Sequence, residues 1–285
     1  MSEHGEIELT DDQKKEAIAT ILGGLGKAEI EHIVTYTTPL FWILRRGDGD
    51  EFMKGGSAFL IDTGVRTFGV TAAHVVTEYL QDTKSPQFAF CLLGSKLGPA
   101  VRIPLGDRII DANAEIDIAT FELTEEEIAK TGLTVLQGFY HPKWPPPVPE
   151  VDRGVTYCGF PGNGRRWLSP KEISFGIVSM AGIATSSHER ALSVLIERDH
   201  LVQVHGDEPM PDNYDFGGIS GGPMLAIVDT GIIRSWMPAA VIIQGPNPSG
   251  IAGESISGFE MIKGRPVHFI KADGYLDLTR WEQLS

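Results

Sequence analysis

Cysteine is scarce: Cys91 and Cys158 are the only two in 285 residues. Two thiols cannot form the framework of a disulfide-stapled scaffold, and as residues of different halves of the fold they are expected to be free and buried, in a reducing compartment. Long apolar runs are also lacking. No stretch approaches the ~20 residues needed to span a bilayer, and Met1-Ser2-Glu3-His4-Gly5-Glu6 has neither the basic nor the apolar part of a secretory signal, so a cytoplasmic protein without a membrane partner is expected. Basic side chains are outnumbered 24 to 38, for a net charge of −14. That balance disfavours nucleic acid or an anionic surface as partner and makes a neutral or basic polypeptide easier to bind. His141, His188, His200, His205 and His268 lack HExxH or Cys-x-x-Cys spacing, so neither a zinc site nor a cofactor is expected. Gly159-Phe160-Pro161-Gly162-Asn163-Gly164 lacks the Lys-Ser/Thr of a phosphate loop and reads as a turn after a strand.

What is present is a 42% hydrophobic chain, enough for a large core. Thr10-Asp11-Asp12-Gln13 has the form of a capping box, and Ala17, Ile18, Ile21, Leu22 and Leu25 recur at helical spacing until Gly23, Gly24 and Gly26 weaken the pattern. One amphipathic helix is predicted over 10–22, packed on the body of the protein or offered to a partner. From Ile33 the signal changes to short β-rich runs: 33–36, 40–44, 57–61, 67–71, 88–93 and 117–123. Six strands with Gly-rich or polar turns suit a closed antiparallel barrel. A short helix opens at Thr124 and Glu127. Five prolines between His141 and Pro149 exclude regular helix or central strand and read as a semi-rigid connection. Strand-like runs resume at 155–160, 173–180, 192–196, 201–204, 224–228, 239–244 and 267–270. The expected organisation is an N-terminal helical extension (1–32), a first barrel (33–140), a Pro-rich linker (141–150), a second barrel (151–272) and a C-terminal tail (273–285).

Gly218-Ile219-Ser220-Gly221-Gly222-Pro223 places one hydroxyl in a segment whose backbone can bend around a reacting carbonyl. A serine hydroxyl is a weak nucleophile near neutrality and needs a base, itself held by a carboxylate. Thr71-Ala72-Ala73-His74-Val75-Val76 supplies a histidine and Ile116-Asp117-Ile118-Ala119 an acid. In content and order these three blocks resemble those of the trypsin/chymotrypsin-like serine peptidases, and the resemblance covers roughly residues 40 to 270. It implies two six-stranded antiparallel Greek-key barrels preceded by the helix, a serine endopeptidase activity, and a cleft between barrels that brings His74 and Asp117 to Ser220. Glycine reaches positive φ without a Cβ penalty, so the amides of Gly218 and Ser220 are the expected oxyanion donors. Ile219 stands where the digestive enzymes carry an aspartate that pairs with a freshly cut N-terminus, so no such switch is expected. The chain looks closer to the bacterial HtrA-like branch, without room for a PDZ domain.

By the same resemblance, Tyr214, Asp215, Phe216 and Gly217 on one side, and Ile243, Gln244 and Gly245 on the other, match the pocket for the residue before the scissile bond. A Tyr214 ring filling the pocket favours a small or medium apolar side chain, and an inward Asp215 carboxylate favours a cationic one. The first is preferred, because a buried unpaired carboxylate is expensive. Gly245 is expected to leave a backbone edge on which substrate pairs as an added strand, with the loop from Gly206 to Asp215 shaping the entrance. Two other functions compete. The GxSxG pattern also fits an α/β-hydrolase esterase, with Asp229 and His268 recruited, but the β-rich run after Pro223 argues against a nucleophile elbow. A non-catalytic peptide-binding module on the peptidase fold is the other.

Overall fold

The computed structural model describes residues 10–45, 47, 50–138, 143–169, 172–197, 200–204, 211, 214–229, 231, 234–246 and 260–284. Of the residues named above, Met1 to Glu6, His141, His205, most of the loop 206–213, and the first part of the Pro-rich linker lie outside them.

Helix α1 (Asp11–Thr20) begins at the predicted cap: Thr10 Oγ1 accepts the Gln13 N–H at 3.3 Å, and the Gln13 side chain accepts the Thr10 N–H at 2.9 Å. The helix ends close to the expected boundary, and the helical backbone breaks at Gly24. The chain passes through a π-type turn (Ile21–Leu25), with Gly24 at φ +115°, into α2 (Gly26–Val34). Ile33 to Tyr36, expected as the first strand, is therefore the end of a helix and a turn. The helical spacing prevails because Glu29 and Ile33, four residues apart, are both buried. Arg234 NH1 meets Glu29 Oε1 at 2.5 Å, Ser179 Oγ donates to the Ile30 carbonyl at 3.2 Å, and the His32 ring lies 4.0 Å from that of Trp236.

The first half is an eight-stranded sheet built from β1 (Thr37–Arg45), β2 (Glu51–Asp62), β3 (Thr67–Thr71), β4 (Phe88–Leu93), β5 (Val101–Ile103), β6 (Ile109–Asn113), β7 (Ile118–Phe121) and β8 (Leu136–Gln137). Its order is β5-β4-β1-β2-β3-β7-β6, with β8 added in parallel to the end of β2. Helix α3 (Ala73–Asp82) follows β3, the short α4 (Leu105–Arg108) precedes β6, and α5 (Glu125–Thr131) opens on the expected Thr124/Glu127 capping box. The second half is a closed six-stranded barrel of β9 (Gly154–Gly159), β12 (Val178–His188), β13 (Ala191–Ile196), β16 (Glu260–Pro266), β15 (Arg234–Gln244) and β14 (Pro223–Asp229), with β12 pairing both β13 and β9. A hairpin, β10 (Arg165–Ser169) and β11 (Glu172–Phe175), stands off it. The mostly β architecture with an N-terminal helix is the one expected; the second half closes as a six-stranded barrel, whereas the first is an eight-stranded sheet with one parallel pairing in place of a six-stranded antiparallel barrel. Leu201 to Val204 is not a strand, and 267–270, also expected as one, opens with a 3-10 turn (Val267–Phe269) after β16 has ended at Pro266.

The halves do not stand apart. One buried cluster takes Phe59, Ile61, Phe68, Val70, Ile116 and Ile118 from the first sheet and Leu225, Val241, Val267, Phe269 and Ile270 from the second half. At about 1.5–3 kcal/mol for each large side chain withdrawn from water, this shared layer fixes how the sheets face each other. Helix α6 (Leu278–Gln283) closes the chain, with Trp281 and Leu284 against the same cluster. Cys91 and Cys158 are free and buried in separate halves, and burial pushes both thiols up to about 12. Among the described residues no helix is long and apolar enough to cross a membrane.

His268, 4% exposed, has an Nε2 without a hydrogen-bond partner and Glu189 Oε2 3.9 Å away. Burial first, and the Arg280 charge second, push its pKa from 6.5 down to about 4. Between those values the unfolded chain binds a proton that the folded one does not. Its contribution is thus complete above pH 6.5 and is lost as pH falls towards 4. Denaturant titrations at pH 7 and pH 4.5 should show wild type losing on the order of 1–3 kcal/mol more than His268→Leu.

Candidate active site

β3 ends at Thr71, and Ala72, extended at φ −78° and ψ 145°, starts α3 without a side-chain cap. His74 is the second residue of that helix, where an N-cap side chain would ordinarily accept a backbone N–H. The acceptor comes instead from 43 residues on: Asp117 Oδ1 takes the His74 N–H at 2.9 Å. The same carboxylate lies 2.9 and 3.0 Å from His74 Nδ1 through Oδ2 and Oδ1. Capping and ring orientation are thus one interaction, which places the proton on Nδ1 and leaves Nε2 as the basic nitrogen.

Asp117 reaches this position through a tight turn between β6 and β7. Asn113 Oδ1 accepts the N–H groups of Glu115 and Ile116 at 2.9 Å, and the Asn113 carbonyl accepts that of Asp117 at 2.8 Å. Asp117 itself sits at φ +58°, a left-handed conformation that aspartate tolerates better than most residues. The carboxylate is 20% exposed and the imidazole 49%.

The Ser220 loop is pinned through its carbonyls. Gly162 N–H donates to the Gly217 carbonyl at 2.6 Å and Gly222 N–H to that of Ile219 at 3.0 Å. Across a planar trans peptide the N–H points opposite the C=O. The amides of Gly218 and Ser220 are thereby turned away from those contacts, and among the described residues neither finds a protein acceptor. Gly218 at φ +101° and Gly221 at φ +88° adopt backbone that L side chains resist, and a Cβ on Gly221 would stand 2.1 Å from the Ser57 carbonyl.

Ser57, fully buried on β2, joins the loop to the first sheet. Its N–H donates to the Ser220 carbonyl at 2.8 Å and its Oγ to the Gly218 carbonyl at 3.0 Å. That Oγ accepts the Phe160 N–H at 2.8 Å, while the Ser57 carbonyl accepts Thr71 Oγ1, also at 2.8 Å. The loop meets the start of α3 across Gly56, where a Cβ would lie 2.7 Å from Val75 Cγ2 and 2.8 Å from the Ser220 carbonyl. Among the described residues no hydrogen bond joins Ser220 Oγ to His74; such contacts often tighten only when substrate is present.

No family model and no curated sequence matches the chain. Among solved structures it is similar to the serine protease domain of the Sesbania mosaic virus polyprotein, at 13% identity, covering 84% of this chain and 91% of that one with a TM-score of 0.39. A second similar structure, described as coupled folding and binding of the intrinsically disordered Sesbania mosaic virus VPg protein, gives 13% identity, 82% and 93% coverage, and the same TM-score.

Of the residues expected to line a pocket, Phe216 is buried, and Tyr214, half-buried on the closed-barrel core, lies edge-on to it at 5.1 Å. Burial, with the neighbouring Asp215 charge, raises the Tyr214 hydroxyl. Asp215 is exposed, and its Oδ1 accepts the Gly217 N–H at 2.8 Å. Ile243 and Gly245 are half-buried and Gln244 is exposed at the end of β15. Gly245 faces Phe216 and Ile219, with 2.9 Å from its Cβ position to Phe216 Cβ. Asp229 ends β14, which follows Gly222 directly as a strand, so the strand-to-helix elbow of an esterase is absent here. Among the described residues no group of three or more His, Cys, Asp or Glu could hold a metal ion. Two clefts of about 690 and 660 Å³, beside Tyr79 and Arg102 and beside Val65 and Trp144, do not include His74, Asp117 or Ser220.

Arg265, on β16, escaped the sequence reading. Its Nε donates to the Ile116 carbonyl at 2.5 Å, immediately before Asp117, and NH1 to the Arg190 carbonyl. Burial lowers its pKa while the Asp117 charge works the other way. The Arg265 and Arg190 guanidinium groups lie 4.6 and 4.1 Å from the Trp281 ring, whose Nε1 donates to Glu115 Oε2 at 3.2 Å. No spacing rule reveals such a tie between residues 149 apart; the Asn113 turn carries a weak local signal in its Asx chemistry. Ser57→Ala leaves the buried Phe160 N–H without its acceptor and frees the Gly218 carbonyl. A loss of about 1–3 kcal/mol by denaturant titration is expected.

Proposed function

We propose that this protein is a serine endopeptidase that cleaves polypeptides through an acyl-enzyme. The observation that carries the reading is the Asp117 carboxylate on His74 Nδ1 at 2.9 Å, beside a serine loop whose two candidate oxyanion amides are unpaired within the described structure. In this mechanism His74 Nε2 takes the Ser220 proton as Oγ attacks the peptide carbonyl carbon. The carbonyl oxygen becomes an oxyanion received by the Gly218 and Ser220 N–H groups, a donor pair in which each member contributes about 3–4 kcal/mol in comparable sites. The imidazolium, facing Asp117, gives its proton to the departing amine. Water then repeats the attack on the ester, with His74 as base, and releases Ser220.

Asp215, turned back onto its own loop, supports a small or medium apolar side chain before the scissile bond. The half-buried Gly245 supports strand pairing by the substrate. Two free thiols support a reducing, cytoplasmic setting, and the likeness to the HtrA-like branch rests on Ile219 alone.

A fluorophosphonate probe should label Ser220, and Ser220→Ala should abolish both labelling and peptide cleavage. Asp117→Asn should lower kcat by about 10³–10⁴-fold, since the ring loses the partner that fixes its tautomer. A folded wild type that the probe leaves unlabelled would overturn the peptidase reading and favour a non-catalytic peptide-binding module.

A further inference from the structure

Arg165 starts β10, directly after the turn whose Gly162 N–H donates to the Gly217 carbonyl. Its side chain reaches back over the Ser220 loop. NH2 donates to the Gly55 carbonyl of β2 at 2.8 Å, and the same nitrogen stands 2.8 Å from the Cβ position of Gly218. The guanidinium thus lies against the residue that carries one of the two candidate oxyanion amides.

This cation is under-compensated. Its Nε is buried without a hydrogen-bond partner, and among the described residues no carboxylate lies within 4 Å of it. Burial lowers its pKa, and the acid whose charge opposes this, Glu78 on α3, is itself 3.1 Å from Lys54. A desolvated guanidinium without a counter-ion is costly, and its planar donors suit a carboxylate.

The two flanks of the Ser220 loop differ. On one, Gly245 packs on Phe216 and Ile219; on the other, Arg165 spans from Gly218 to Gly55. On the peptidase reading the Gly218 amide receives the substrate carbonyl, so the guanidinium, 2.8 Å from the Gly218 Cβ position and bonded to β2 of the first sheet, lies beside the cut, while Gln244 and Gly245 offer the acyl half an edge on the closed barrel. We infer that Arg165 forms a subsite for a carboxylate side chain on the residue just after the scissile bond, an inference that rests on the peptidase reading. The net charge of −14 does not oppose it. Charges beyond the Debye length of about 8 Å are screened at physiological salt, whereas a guanidinium in contact with its ligand is not.

The test digests a randomised peptide library with wild type and with Arg165→Met, sequences the products, and measures kcat/KM on matched peptides bearing Glu or Gln after the cut. Probe labelling of Ser220 is followed in the same preparations. Asp and Glu should be enriched at the first position after the cut, with Glu preferred over Gln by about 10–100-fold, as befits a charge-assisted hydrogen bond. Arg165→Met should bring that ratio near one, and Arg165→Glu should transfer the preference to Lys. Wild type that cuts without acidic preference overturns the subsite by itself, whether or not the variants fold, as does Arg165→Met that keeps the preference. Wild type that cuts nothing in the library overturns the peptidase reading and the subsite together.

Discussion

The candidate site depends on one carboxylate performing two tasks. Asp117 caps the otherwise uncapped start of α3 through the His74 N–H and holds the His74 ring through Nδ1. Because both contacts are made by the same two oxygens, the helix cannot shift relative to the β6–β7 turn without the ring moving too. The cap therefore enforces the side-chain geometry that a proton-accepting Nε2 requires.

Asp117 in turn depends on contacts that cross between halves. Its turn is closed within the first sheet by Asn113, but the carbonyl just before it is held by Arg265 of the closed barrel. Ser57 makes the reciprocal tie, from β2 of the first sheet to the carbonyls of Gly218 and Ser220. Each half reaches over to fix the loop contributed by the other, and the shared apolar layer of Phe59, Val70, Leu225 and Val241 sets the distance between them. On the peptidase reading this explains why hydroxyl, base and acid can be brought to one place from widely separated segments. Polar cross-ties provide direction, and the apolar layer provides the bulk of the adhesion.

What the sequence disclosed followed how local each signal was. The blocks around His74, Asp117 and Ser220, and the caps at Thr10 and Thr124, are short-range patterns and were legible. The second helix, α2, was not, because its helical state is set by burial of Glu29 and Ile33 against the rest of the protein, while the kink at Gly24 separates it from α1. Neither Ser57, which reads as an ordinary strand residue, nor Arg265, which reads as a surface cation, announces its role. Their partners are Gly218, Phe160 and Ile116, met only after the chain has folded.

Strained backbone occurs at this same place, although Asp152 holds positive φ elsewhere. Asp117, Gly218 and Gly221 all hold positive φ, two of them glycines that tolerate it and one an aspartate for which it costs on the order of 1–3 kcal/mol. An isolated turn would relax. Here the Asp117 N–H is fixed by Asn113, its carboxylate by His74, and the preceding carbonyl by Arg265, so relaxation would break hydrogen bonds in both halves at once. The same logic governs the Ser220 loop, where returning Gly218 to negative φ would release the contacts that point its amide outward. Local strain is thus sustained by non-local bonds, and it persists only while the two sheets stay docked. Any function built on these groups is therefore coupled to the integrity of the interface between halves.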